Sequence, residues 1–231
     1  MFNKYIAQLD RIWNNPEYKN DGFMQTYLNR GYAFPEVEKA ELLFIGLNPA
    51  GSEVNGSSFS YNLQQAVKDL PKYYGRYDKL AQQIGAGWTY TDLFYFKETN
   101  GKMLEQFLTQ SLRKQFLIEQ LKITQQLIEE LNPKVIVVFN AKARMFFGLE
   151  GNRTKREGIW MGYKANNIEL YEKFGTPVID SVESDINHGI KHTKTAPIPI
   201  FFDSFISYQP KTSIDRLAWH IKYAISQLSK V

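Results

Sequence analysis

The chain has 231 residues, 43% hydrophobic and 23% charged, with a formal net charge of +4. This balance suits a globular protein and excludes a disordered or collagen-like chain. The lack of cysteine excludes disulfides, thiol nucleophiles and thiolate metal sites, while the mild positive charge permits a polyanionic partner without requiring one.

In chain order, Phe2 to Trp13 spaces Tyr5, Ile6, Leu9 and Trp13 as a helix does, and Asn14-Asn15-Pro16 stops it. Nothing in this opening segment has the apolar stretch of a signal peptide, and no apolar run is long enough to span a bilayer. A soluble, cytoplasmic protein is expected. Four short runs rich in β-branched and aromatic residues follow: Leu42 to Ile45, Trp88 to Phe94, Val135 to Phe139 and Ile198 to Phe202. Each suits a buried strand. Helical patterns lie between or after them. They are Met103 to Leu131 (ended by Asn132-Pro133), Ala141 to Phe147 and Ser213 to Leu228. Buried strands alternating with helices predict an α/β fold: a three-layer α/β/α sandwich around a central, mainly parallel four-stranded sheet.

Residues 148–197 break the rhythm. They are polar and rich in Gly and Asn, and read as an insertion within a single domain spanning 1–231. A hairpin is expected there, pairing Ile168 to Phe174 with Val178 to Ser181 across Gly175-Thr176-Pro177. Asp185, His188 and His192 have a spacing that could mark a metal site. With Gly189 between the histidines in a polar loop, solvated side chains and no metal are the expectation. No phosphate loop, complete dinucleotide fingerprint or GxSxG elbow is present, and no cofactor is expected.

The informative segment is the strand Leu42 to Ile45 running into Gly46-Leu47-Asn48-Pro49. Ligands of parallel α/β sheets bind beyond the carboxyl ends of strands. Gly46 would let a flat ligand approach the backbone, and Pro49 would fix the turn that aims the Asn48 amide. A plain strand-ending turn accounts for the same residues.

Gly46-Leu47-Asn48-Pro49 resembles the first motif of the uracil-DNA glycosylase superfamily, in its Gly-x-Asn-Pro form. Tyr90-Thr91-Asp92-Leu93 resembles the strand end that usually reads Thr-Asn-Val/Leu. Residues Asn132 to Ala143 resemble the family's third strand and the helix after it. Ser207 to Ser213 sits where a His-Pro-Ser second motif is common, with Gln209 in place of the histidine. The resemblance implies a DNA glycosylase that hydrolyses the N-glycosidic bond of a flipped base, with DNA as partner and without metal. Asn48 would hold the attacking water, and Gln209 would donate to the departing base. Phe59, or else Tyr61, would stack on the base, with the Asn55-Gly56-Ser57-Ser58 loop closing over it. Asp92 replaces the usual Asn. An ionised carboxylate only accepts hydrogen bonds, so it suits a base edge bearing an amino group better than uracil; as a turn cap it would be structural. Lys142, Arg144, Lys211 and Arg216 follow strand ends and would grip phosphates, unless they are ordinary solvated faces. Two alternatives stay open: a non-enzymatic binder of nucleic acid or nucleobase with the same fold, and a nucleotide-metabolising enzyme.

Overall fold

A computed structural model describes residues 2–52, 56–148, 159–182 and 197–228. Helices α1 (Phe2–Trp13), α2 (Pro16–Lys19) and α3 (Gly22–Arg30) open the chain. Tyr5, Leu9, Ile12 and Trp13 are buried, as the helical spacing requires. Asn15 and Asp21 accept backbone N–H groups at the starts of α2 and α3 and fix the two breaks. Strands β1 (Ala33–Glu36), β2 (Leu42–Gly46) and β3 (Phe59–Asn62) follow, then α4 (Leu63–Asp69), α5 (Tyr74–Ile84) and β4 (Trp88–Asp92). Beyond a 3-10 turn come α6 (Leu104–Phe107), α7 (Ser111–Leu131) and β5 (Val135–Phe139). Another 3-10 segment, Ala141–Phe147, precedes β6 (Tyr163–Lys164), a short helix Ile168–Phe174, β7 (Val178–Ile179), β8 (Ser181–Val182) and β9 (Ile198–Asp203). The helix Lys211–Leu228 comes last.

The central sheet has five strands in the order β4-β2-β5-β9-β7. The four predicted strands are parallel, but β7 adds an antiparallel edge against β9. The fold is therefore α/β with a mixed sheet, which corrects the four-stranded expectation. The expected strand at Val178 to Ser181 is present as β7 and the start of β8, but β7 pairs with β9 and not with Ile168–Phe174. β2 and β5 are buried along their whole length, as expected of strands covered on both faces. One face packs Leu43, Ile45, Ile136, Val138 and Ile200 against α1 and α7. The other packs Leu42, Phe44, Tyr90, Val137 and Phe201 against α5 and the C-terminal helix.

Two further expectations need correction, and one strand pairing was not expected. Ile168–Phe174 is a helix and not a hairpin strand: Asn167 caps its start and Gly175 (φ 68) closes its end, and these local signals outweigh its apolar content. The long helical stretch opens on a 3-10 turn capped by Asn100 and is broken at 108–110, where Thr109 Oγ1 donates to Gln106 O at the end of α6. β1 and β3 form a separate parallel pair that the sequence did not announce. The stretches 149–158 and 183–196 of the expected insertion, the second with Asp185, His188 and His192, lie outside the described residues. Among those described, no group of acids or histidines could hold a metal ion, and no helix is long and apolar enough to cross a membrane.

Candidate functional site

β2 and β4 are paired in register, with Gly46 opposite Asp92. The segments beyond them stay together: Leu93 and Phe94 donate backbone N–H groups to Gly46 O and Leu47 O, and Glu98 N donates to Pro49 O at 3.0 Å. Asn48 bridges the two segments. Its Nδ2 donates to Glu98 O (2.7 Å) and Pro49 O (3.0 Å). Both amide protons are thus held by carbonyls, and Oδ1 accepts no hydrogen bond among the described residues.

Beside Asn48 opens a cavity of about 790 Å³, lined by Asn48, Pro49, Phe59, Tyr61 and Asp92 together with Tyr73, Tyr74, Tyr90, Phe205 and Tyr208. Five of the sequence-predicted residues therefore converge at the carboxyl edge of the sheet. Among the described residues, no lysine, arginine or histidine lines it.

Asp92 forms the floor, with 1% of its surface exposed. Tyr90 OH donates to its Oδ1 at 2.8 Å. Tyr73 OH lies 3.0 Å from Tyr90 OH, and Tyr77 OH donates to Tyr73 OH at 3.2 Å. A phenol has one proton, so with Asp92 ionised the chain has one direction: Tyr77 to Tyr73 to Tyr90 to the carboxylate. Oδ2 has no partner among the described residues. Burial pushes the Asp92 carboxyl up to about 7, and the Tyr90 hydrogen bond pulls it the other way. Burial, with the nearby Asp92 charge second, pushes the Tyr73 phenol up to about 12 and Tyr90 well above its ordinary value. Tyr61 and Tyr74 share a hydrogen bond of 2.8 Å.

Gly46 has a different role from the one expected. A Cβ at this position would collide with both Asp92 Oδ1 and Tyr90 OH. Its missing side chain makes room for that hydrogen bond rather than for a ligand. Phe59 stands at the mouth, 48% exposed, with Lys97 Nζ 5.0 Å from its ring centroid. Tyr61 is half-buried and held by Tyr74, so Phe59 is the ring available to stack. The loop before it is fastened down, contrary to the expectation of a closing flap. Gly56 N donates to Asn29 O, Tyr32 N donates to Ser58 Oγ, and a Cβ on Gly56 would strike Arg30 O. Asn55 lies outside the described residues.

Gln209 is not brought to the cavity. Its Nε2 donates to Asp203 Oδ1 (2.8 Å) and to Ser204 Oγ, while Arg76 Nη1 donates to its backbone carbonyl. Its neighbours Phe205 and Tyr208 supply that wall instead. Phe205 stacks on Tyr73 (5.4 Å, 21°), and Tyr208 is 85% exposed. None of the four predicted phosphate contacts lines the cavity either. Lys142 Nζ donates to Gly101 O, Arg144 lies over the Phe202 ring, and Lys211 and Arg216 are exposed on the C-terminal helix. Sequence reasoning missed the tyrosines of α5. The run Tyr73-Tyr74-Gly75-Arg76-Tyr77 was their signal, and the two-residue period of a strand already set Tyr90 and Asp92 on one face.

No protein-family model matches the chain, and none of the curated proteins compared with it matches either.

Proposed function

We propose that the protein is a monofunctional DNA glycosylase of the uracil-DNA glycosylase type, in a three-layer α/β/α arrangement, acting on a base flipped into the aromatic cavity. The observation that carries this is the shared cavity of Asn48 and Asp92. Asn48, whose amide oxygen has no partner among the described residues, and Asp92, a buried carboxyl, line one space together with flat rings. Asn48 Oδ1 accepts a hydrogen bond from the attacking water and orients it; the water's proton leaves to solvent as the sugar–oxygen bond forms and the base departs. Positioning and charge stabilisation then supply most of the rate. Phe59 stacks on the base, and stacking of this kind contributes about 1–3 kcal/mol per base. Lys97 over the Phe59 ring, with Lys142, Arg144, Lys211 and Arg216 beyond strand ends, provides positive charge for a phosphate backbone.

One observation favours a second reading, a non-enzymatic nucleobase or nucleic-acid binder. The Gln209 amide, which a glycosylase would aim at the departing base, donates to Asp203 and Ser204. The two readings separate at Asn48. Base release from single- and double-stranded DNA carrying uracil, hypoxanthine or mismatches is measured as alkali-labile abasic sites. For an enzyme, Asn48→Ala lowers release by roughly a hundredfold or more and leaves DNA affinity nearly intact. No release from any substrate at high protein concentration sinks the catalytic reading.

A further inference from the structure

The edge of the ligand read by Asp92 can be derived from its hydrogen-bonding capacity. This step rests on the cavity being a nucleobase site. The carboxyl lies deep in the cavity, and one oxygen is already satisfied by Tyr90. The tyrosine chain behind it donates toward Oδ1, so its protons are directed at the carboxylate and not at the ligand. Oδ2 has no partner among the described residues and belongs to a side chain that lines the cavity. An unfilled acceptor at the floor of a largely apolar cavity is poorly solvated, and a ligand that brings an N–H to it gains a charge-assisted hydrogen bond. A ligand that brings a carbonyl meets repulsion between lone pairs instead.

We propose that the cavity selects an aminated nucleobase of the cytosine or adenine type, whose exocyclic NH₂ donates to Asp92 Oδ2, and discriminates against the diketo edge of uracil. Carboxylates accept from the cytosine amino group in the same way in groove recognition, where a good pair is worth about 1–3 kcal/mol. Tyrosines and an acid surround Asp92 and set its charge state. Tyr90 lies on its own strand, Tyr61 on β3, and Tyr73, Tyr74 and Tyr77 at or on α5; Asp69 ends α4 at the cavity wall. Among the described residues, no cation lines the cavity to hold the carboxylate ionised. The preference is therefore strongest in mild alkali. It weakens in mild acid, where a protonated carboxyl can donate to a carbonyl.

The test is equilibrium binding of free cytosine, adenine and uracil to the full chain at pH 8 and pH 6, repeated with Asp92→Asn. The wild-type protein should favour cytosine or adenine over uracil by roughly tenfold at pH 8, with the ratio shrinking at pH 6. Asp92→Asn restores an amide that both donates and accepts, so it should reverse the ranking toward uracil and remove the pH dependence. Near-ultraviolet circular dichroism checks that this variant folds; if it does not, the wild-type pH pair decides. Uracil binding as well as the aminated bases at pH 8, an unchanged ranking in folded Asp92→Asn, or no base binding at millimolar concentration overturns the proposal. Selective binding with no base release from any DNA leaves it standing and removes the glycosylase reading. Uracil release insensitive to Asp92→Asn does the reverse.

Discussion

Strand β4 ends between two clusters of buried polar groups, one on each face of the sheet. Toward α7, Gln120 Oε1 accepts the backbone N–H groups of Tyr95 (2.8 Å) and Phe96 (3.2 Å), and its Nε2 donates to Phe116 O. Thr124 Oγ1 donates to Leu93 O and shares a hydrogen bond of 2.8 Å with Tyr95 OH. Both Gln120 and Thr124 are fully buried and packed in. Toward α5, Asp92 is just as buried, but one of its oxygens has no partner among the described residues and it opens on a cavity. Burial is equal on the two sides; completion of the hydrogen bonding is not. A closed polar network fixes the chain, whereas an incomplete one beside a cavity is poised to be completed by a ligand.

Breaking the closed cluster should have the largest effect on stability. Gln120→Leu leaves two buried N–H groups without an acceptor and should lower unfolding free energy by roughly 2–5 kcal/mol in urea titrations. A loss below about 1 kcal/mol would remove the distinction between the clusters. The open cluster should announce itself through pH. The Asp92 carboxyl titrates near 7 in the folded chain, against an ordinary value near 4 when unfolded. Between those values the native state binds more protons than the unfolded state, so this group's contribution to stability falls as pH rises from about 4 to about 7 and is level above that. Urea midpoints at pH 5 and pH 8 measure it, and Asp92→Asn should abolish this component; the same slope in the variant assigns it elsewhere.

Gly46→Ala sharpens the contrast from the neighbouring strand. Its methyl group enters the space of Asp92 Oδ1 and Tyr90 OH, and such overpacking should destabilise by roughly 1–3 kcal/mol. It should also abolish nucleobase binding, and a variant that binds normally would show that Gly46 does not set the position of Asp92. The smallest effect on stability should come from Phe59→Ala. The ring is half-exposed, so unfolding should shift by less than about 0.5 kcal/mol while affinity for single-stranded DNA falls. Unchanged affinity would move the stacking platform elsewhere, with exposed Tyr208 the next candidate.

Local pattern was enough for much of this molecule. The apolar runs of β2, β4, β5 and β9, the helical spacing of α1 and the stop at Asn132, left-handed with φ 44 and followed by proline, were legible because each depends on neighbours within a few residues. So were Asn48 and Asp92 as strand-end polar residues. The parallel β1–β3 pairing, which brings Phe59 and Tyr61 to the cavity, was decided by contacts between distant positions: Ala33 pairs with Phe59. Gln209 is held away from the ligand space by Arg76, 133 residues distant, which donates to its backbone carbonyl, while its amide donates to nearby Asp203 and Ser204. Side-chain type sets what a group can donate or accept. Whether those capacities are filled internally or left facing a cavity depends on which distant segments packing brings alongside, and no local pattern carries that information.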